Sequence, residues 1–459
     1  MRHRPRIYPL DPRELTEEQI AVVFAMTSRR PEPFDEIAQV VTTEKAADFH
    51  ERWVLNYGHA SVAEHAVLHM AVENVSRLAC DTLEDNRLAS YTEKSSRYQV
   101  LETGYYHVPQ ELEGHPFRQR YVETCDGLFA TYHALVEGLR RYLPNVRPRG
   151  GREGDGAYNL RIRREATDTA RFLLPAATLT NVGVTMNARS MEHAIRKLLS
   201  SELAEERALG QALKEQGRRI TPTLIKYAEQ SEYLVVSRQA QREEAAPFAE
   251  PSGESTVEAT LVQFDTEAEE KLAAALLYRF ASQPYAQVWE RVKQMTAGER
   301  RQVIDRALEG LGPHDVPVRE LEAVDYTFDL LLDYGAYREY KRHRMQTYIP
   351  QPLTVELGYA VPPLVREAGL QGDFEAVIQL AEKAFFALRG ELPLIAPYLV
   401  THAHRRRVLS KMNLRECYHL FKLRTGPQAH WSLVSAMKEA LKQARERHPA
   451  LFRHLRLRS

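Results

Sequence analysis

Cysteine is scarce: Cys80, Cys125 and Cys417 are the only three in 459 residues, and none belongs to a C-x-x-C pair. That excludes a disulfide framework or a zinc ribbon as the organising principle and makes a reducing, cytoplasmic setting the default reading. No apolar run approaches the ~20 residues that cross a bilayer, and the opening MRHRPRIYPLDPREL lacks the apolar core of a secretory leader. Neither sign of charge is in excess. Lys plus Arg and Asp plus Glu both number 62, so no bulk field draws the chain to nucleic acid or a membrane, and any nucleotide site must be a local patch. No G-x-G-x-x-G, Walker loop or nucleophile elbow stands in a suitable context, which argues against a Rossmann or P-loop enzyme.

What is present is a repeat. The stretch YGHASVAEHAVLHMAVENVSRLACDTLEDNRLASYTEKSSRY (Tyr57 to Tyr98) parallels LGPHDVPVRELEAVDYTFDLLLDYGAYREYKRHRMQTY (Leu311 to Tyr348). Each starts around Gly and His, continues as what reads as a long amphipathic helix, and ends on an Arg-centred segment. Upstream, IYPLDPRELTEEQIAVVFAMTSRRP parallels LVQFDTEAEEKLAAALLYRFASQP, a short strand-like run and then a helix; downstream, TMNARSMEHAIRKLL parallels KMNLRECYHLFKLRT. Ser28, His59, Arg87 and Asn187 keep the order of Ser282, His314, Arg344 and Asn413. The expected organisation is copy one at 1–235, a linker at 236–258 and copy two at 259–459, with helices dominant and few convincing strands. The linker's Pro/Ser/Gly/Glu-rich centre is EEAAPFAEPSGEST, and NVRPRGGREGDGA (Asn145 to Ala157) reads as a flexible insertion in copy one.

Four constellations carry candidate chemistry. Ser95, Ser96 and Arg97 set small hydroxyl residues beside a guanidinium that can fork onto a phosphate, although a turn motif would look the same. Arg342, His343 and Arg344 are adjacent; mid-helix the two arginines diverge by about 200°, so they serve one large ligand only from a helix end. In NLRECYHLFKLR, Asn413 and Arg424 share a helix face, and Arg415 and His419 are i, i+4 neighbours, arms that span about 16 Å or else a charged solvent face. In THAHRRR, His402 and His404 would share a face on a strand; no Cys, Asp or Glu nearby completes a metal site, and a basic edge segment is the preferred reading.

Together these segments resemble the flavin-dependent thymidylate synthases. That family carries Gly-His and Glu-His, then Arg-His-Arg-x-x-Ser leading to Glu-x-Ser-x-Arg-Tyr, then Asn-x-Arg and a distal Arg. Here they read GHASVAEH, DNRLASYTEKSSRY and NARSMEH in copy one, and RHRMQTY and NLRECYHLFKLR in copy two. The copies depart from the pattern in complementary ways. Copy one has Asp85-Asn86-Arg87 for the triplet and Leu198 at the distal position, but keeps Ser90, Glu93, Ser95, Arg97 and Tyr98. Copy two keeps the triplet and Arg424 but has Pro350, Pro352 and Thr354 in the phosphate segment. Arg171 in ARFLLP matches a family arginine that contacts nucleotide, and Pro397 stands at its counterpart.

The resemblance implies a helix-rich α+β fold, two tandem copies, and reductive methylation of dUMP to dTMP with FAD, NADPH as reductant and methylenetetrahydrofolate as one-carbon donor. It implies that His59, Arg342, His343, Arg344, Asn413, Arg415 and His419 hold FAD. Glu93, Ser95, Ser96, Arg97 and Arg171 would hold the nucleotide, and Arg424 would bind and polarise its uracil edge as the catalytic residue; Arg87 would be a remnant. Complementary losses suit one site drawing on both copies, in a homodimer with about one flavin per chain, a pseudo-tetramer of four domains. Alternatives are a related flavoenzyme for another pyrimidine or one-carbon acceptor, or a non-catalytic flavin- or nucleotide-binding protein.

Overall fold

The computed structural model describes residues 6–56, 58–248 and 256–458. Two compact units emerge, Met1–Glu250 with Gln379–Leu399, and Pro251–Ile378 with Val400–Ser459. Each is an α+β unit around an antiparallel sheet.

In the first unit, helices α1 (Glu17–Met26), α2 (Phe34–Val40) and α3 (Thr43–Phe49, running on as a π-helix to Asn56) precede the sheet. Strand β1 (Val67–Ser76), helix α4 (Arg77–Leu83) and strand β2 (Ala89–Glu93) follow, then α5 (Phe117–Val146), α6 (Asp155–Ala170), strand β3 (Leu179–Asn187), α7 (Ala188–Leu199), α8 (Ala204–Gly217) and α9 (Glu232–Ala245). The strand order is β1-β3-β2. Leu68, Val72, Val182, Val184 and Met186 of the sheet share one buried core with Met191, Ile195 and Leu198 of α7 and Leu213 of α8. Residues 379–399 complete this unit: Tyr398 donates through its hydroxyl to Glu205 (2.7 Å) and accepts at its carbonyl from the Ala177 amide (2.8 Å).

The second unit repeats the plan with strand β4 (Ala259–Phe264), helices α10 (Ala268–Tyr278), α11 (Tyr285–Gln294) and α12 (Ala297–Leu308), strand β5 (Asp325–Asp333), helix α13 (Tyr334–Tyr340) and strand β6 (Thr347–Pro350). Helix α14 (Pro363–Glu367), the start of α15 (Gln371–Glu391, whose residues from 379 on belong to the first unit), strand β7 (Arg405–Asn413), α16 (Leu414–Arg424) and α17 (Trp431–Arg447) complete the order. The sheet runs β4-β5-β7-β6. On the edge strand β4, the Gln443 side chain accepts from the Leu261 amide and donates to the Ala259 carbonyl, which blunts that edge.

The same junction recurs four times: the last strand residue caps the following helix. Ser76 caps α4, Asn187 caps α7, Asp333 caps α13 and Asn413 caps α16, each accepting from the backbone amide three residues on. These junctions are the physical content of the repeat.

Several expectations are corrected. The two stretches read as long helices each hold a strand, a short helix and a second strand. In β1 the buried apolar residues are Leu68, Val72 and Val75, a spacing that mimics a helix. A bulge at Glu73–Asn74, with Asn74 at φ 57°, shifts the inward face by one residue and creates that spacing. Strand β5 is buried on both faces, so it shows no alternation. Tyr57, at the start of the first repeat, lies outside the described residues. The strand-like run forms in copy two as β4, whereas residues 6–11 form no strand. The expected linker 236–258 begins inside α9 and ends at the start of β4, and its residues 249–255 lie outside the described residues. Of the 145–157 insertion, only residues 147–154 form a loop, which joins α5 to α6 and is tied by Arg161 to Glu153 (2.8 Å). His402 and His404 lie in a tight turn before β7, where the Thr401 amide donates to His404 Nδ1 (3.1 Å), so they do not share a strand face.

Helix α8 crosses α7 so closely that a Cβ on Gly210 would meet Leu198 Cβ at 2.9 Å and the Leu199 backbone nitrogen at 3.1 Å. Overpacking of about 1–3 kcal/mol exceeds the roughly 1 kcal/mol that alanine adds to a helix over glycine. Gly210→Ala should therefore lower the denaturant midpoint with an unchanged slope; a raised midpoint would contradict this packing.

Candidate functional site

The second unit holds a pocket of about 550 Å³ on one face of α16. Its walls are that face, the loop Leu311–Pro317, Met345, and the segment His454–Arg458. Two α16 side chains, seven residues apart and so on one face, fasten the loop. Arg415 Nε donates to the Pro317 carbonyl (3.0 Å), and Lys422 Nζ donates to that of Pro313. Gly312 fits its turn because the Asp315 carboxylate, which accepts from the Gly312 amide at 2.8 Å, occupies the space a Cβ would take.

Asn413, Arg415 and His419, three of the expected flavin contacts, line this pocket together. Asn413 Oδ1 is engaged as the helix cap and Arg415 Nη1 pairs with Glu322 at 2.7 Å. His419 is exposed, with no hydrogen-bond partner among the described residues. His314, the repeat counterpart of His59, lies opposite on the loop.

The triplet lies just beyond the end of α13, where its members separate. Arg342 is exposed, Arg344 half-buried and His343 buried, its ring 5.3 Å from that of His419. Both His343 nitrogens are used. Arg424 Nε, always a donor, donates a hydrogen bond to Nε2 (2.8 Å), so Nδ1 carries the ring proton and donates to Glu416 Oε1 (3.1 Å). Burial pushes the imidazole pKa down, and the Arg424 charge adds to that, against the opposing hydrogen bond to Glu416. Arg424 in turn pairs with Glu339 at 2.6 Å. A chain Glu416–His343–Arg424–Glu339, buried at its first two members and half-buried at the last two, therefore fixes the guanidinium expected to act in catalysis. For His343 to hold the cofactor, a ligand would have to replace one of these bonds.

In the first unit, Arg97 and Arg171 converge on Asp168, Arg97 Nη2 at 2.9 Å and Arg171 Nε at 2.8 Å. Ser95 Oγ accepts from the Arg97 amide (3.3 Å), and Ser96 is buried in the same turn. Glu93 forms a buried ion pair with Arg77 at 2.8 Å, so its carboxylate is already held. His59 is exposed beside Trp53, ring centroids 6.2 Å apart. Asp85, in the altered triplet of copy one, pairs with Lys197 of α7 at 3.1 Å, and Leu198 is fully buried. The basic run enters β7 as structure: Arg406 lies over the Tyr337 ring at 4.6 Å and Arg407 pairs with Asp329 at 3.0 Å.

Residues 13–223 and again 260–450 match the family described as thymidylate synthase complementing protein. The chain belongs to this family. Similar proteins include a UPF0159 protein of Chlamydia muridarum, 32% identical over 427 residues that make up 89% of this chain and 80% of that protein. A UPF0159 protein of Thermoplasma acidophilum is 31% identical over 441 residues, 89% of this chain and 88% of that one. A flavin-dependent thymidylate synthase of Clostridium tetani is 26% identical over 214 residues, 46% of this chain and 82% of that protein. The resemblance seen in the motifs therefore holds, as does the tandem arrangement.

Motif reading passed over Glu416, Glu339 and Asp168. Glu416 stands three residues after the Asn413 cap, and an acid at that point in a motif otherwise rich in bases was the available signal. The neutral state of His343 has a measurable consequence. Below about pH 6.5 the unfolded chain takes up a proton that the folded imidazole resists, so stability falls as the solution is acidified. His50, His193 and His448, also depressed by burial, add to the same slope. His343→Gln should make the fall in melting temperature from about pH 6.5 to pH 5 shallower; an unchanged slope would mean that His343 is already charged.

Proposed function

We propose that the protein is a flavin-dependent thymidylate synthase-like enzyme. It would convert dUMP to dTMP by reductive methylation, with methylenetetrahydrofolate as one-carbon donor and NADPH as reductant. The observation that carries this reading is the pocket on α16, where Asn413, Arg415 and His419 stand together in the order and spacing of the family motif. The pocket fits a flavin nucleotide. Its acids are already engaged, Asp315 by a backbone amide, Glu322 by Arg415 and Glu416 by His343, whereas exposed His314 and His419 present nitrogens to a ligand. When bound, FAD would supply the hydride chemistry.

The chain's own groups would bind and orient. Arg415, His419, Asn413, Arg342 and Arg344 would hold the cofactor, with His343 positioning Arg424 from behind. His59 is the corresponding contact offered by copy one. Arg97, Arg171, Ser95 and Ser96 would take the nucleotide, with Glu93 holding Arg77 beside them. Arg424, already oriented by His343 and Glu339, would donate to the uracil edge and stabilise charge that develops there, without reorganising during the reaction. A thiolate mechanism fits poorly. All three cysteines are buried, and burial raises the thiol pKa of Cys125 and Cys417. Because the triplet and the distal arginine occur only in copy two, we expect a homodimer with about one flavin per chain, in a cytoplasmic setting.

One observation favours a second reading. The cations offered to phosphate, Arg97 and Arg171, share Asp168, so a nucleotide must compete with that carboxylate. An enzyme acting on a different pyrimidine or one-carbon acceptor, or a flavin- or nucleotide-binding protein without turnover, would accommodate this.

Incubation with dUMP, methylenetetrahydrofolate and NADPH should yield dTMP, and NADPH should bleach the flavin absorption. Arg424→Ala should keep flavin yet lose about 10- to 100-fold in dTMP formation, the equivalent of one hydrogen bond to a charged group. Flavin uptake without dTMP from the unmodified protein would favour the second reading, and colourless protein that takes up no FAD would remove the first.

A further inference from the structure

The segment after α17 has no part in the family motif, yet it forms one wall of the pocket. The chain is pinned as it returns: Tyr418 donates its hydroxyl to the Leu451 carbonyl (2.6 Å), and Phe452, fully buried, stacks on Tyr418 with ring centroids 6.1 Å apart. His454 bonds Asp305 at 2.8 Å, and Leu455 is buried as the last anchor. Beyond it, residues 456–458 run along the pocket, with Arg458 lying against Gly426.

Arg456 and Arg458 differ from the other cations of the pocket. Lys422 is tied to the Pro313 carbonyl and Arg415 to Glu322. Arg456 and Arg458 are exposed and have no hydrogen bond or ion pair among the described residues. Every carboxylate lining the pocket is engaged by another protein group, so the uncommitted groups at its mouth are nitrogen bases. The exposed apolar surface of Met345 and Val316 adjoins them, 70% and 71% exposed. Exposed apolar surface with free guanidiniums in the same pocket suits a flat heteroaromatic body carrying phosphate, since guanidinium forks match phosphate oxygens.

We propose that Leu455–Arg458 is a binding element of this pocket, with Arg456 and Arg458 receiving the phosphate groups of its ligand. The proposal rests on the flavin reading for the identity of the heteroaromatic part alone. FAD, FMN, ADP and riboflavin, titrated calorimetrically into the full chain and into an Arg456→Ala/Arg458→Ala variant, separate the two. Each exposed guanidinium lost should weaken a phosphate-bearing ligand by up to about tenfold. Riboflavin, which has no phosphate, should bind both proteins equally. The difference for FAD should shrink as salt is raised to about 0.5 M, as screening requires. Equal FAD affinity in both proteins would overturn the role of this segment and leave the flavin reading standing. Binding of ADP but of no flavin, weakened in the variant, would uphold the segment and overturn the flavin reading. If the unmodified chain bound none of the four, both would fall. Because both side chains are exposed, the melting temperature of the variant should match that of the parent.

Discussion

The candidate site depends on one hydrogen bond, from the Glu416 amide to the Asn413 side chain at the end of β7. Such a cap stabilises a helix by about 1 kcal/mol, but its larger effect here is geometric. It fixes the residue at which strand becomes helix, and so the phase of every α16 side chain. With Asn413 as cap, Arg415, His419 and Lys422 face the pocket while Cys417, Leu420 and Phe421 are buried in the core. Starting the helix one residue later would rotate those roles by about 100°. The equivalent cap at Asn187 sets α7 in the same way, which explains why asparagine is an anchor of the repeat.

Behind the pocket wall, the chain of Glu416, His343, Arg424 and Glu339 meets the main difficulty of a charge partly withdrawn from water. A guanidinium away from water is costly unless it is paired and hydrogen-bonded. Arg424 has a carboxylate on one side and a neutral imidazole acceptor on the other, and that imidazole is held in the accepting tautomer by a second carboxylate. The two acids thus act on the arginine differently, Glu339 by direct pairing and Glu416 through the His343 ring. Because the histidine is neutral, it accepts from Arg424 without adding like charge beside it.

The repeat, the family and the pocket-forming residues of α16 were legible because they depend on short-range spacing: a cap, then side chains at +2 and +6. The sheet was harder to see. The bulge in β1 converts alternation into helical spacing, and β5 has no polar face to alternate with. The pairings of Arg97 with Asp168, and of Glu93 with Arg77, were hidden for a different reason. Motifs reveal donors by type, whereas partners 71 and 16 residues away come together only through the fold. Likewise, nothing in the sequence of residues 454–458 marks them as a pocket wall, because their placement depends on Phe452 and Leu455 finding the core.

The duplicated frame shows how one junction can serve two ends. Eleven residues after the cap, α16 carries Arg424 and α7 carries Leu198. In the first unit α8 approaches this turn of α7 closely enough that only glycine fits at residue 210, and Leu198 lies wholly within the core. An arginine there would bury a charge beside Met191, Ile195 and Leu213 of that core. In the second unit the same position remains partly open, and Glu339 and His343 stand ready for the guanidinium. Leucine at 198 and the tight α7–α8 contact therefore go together. With α8 closed on its glycine, a cation at 198 would require repacking the helix pair, whereas leucine at that position strengthens the same core.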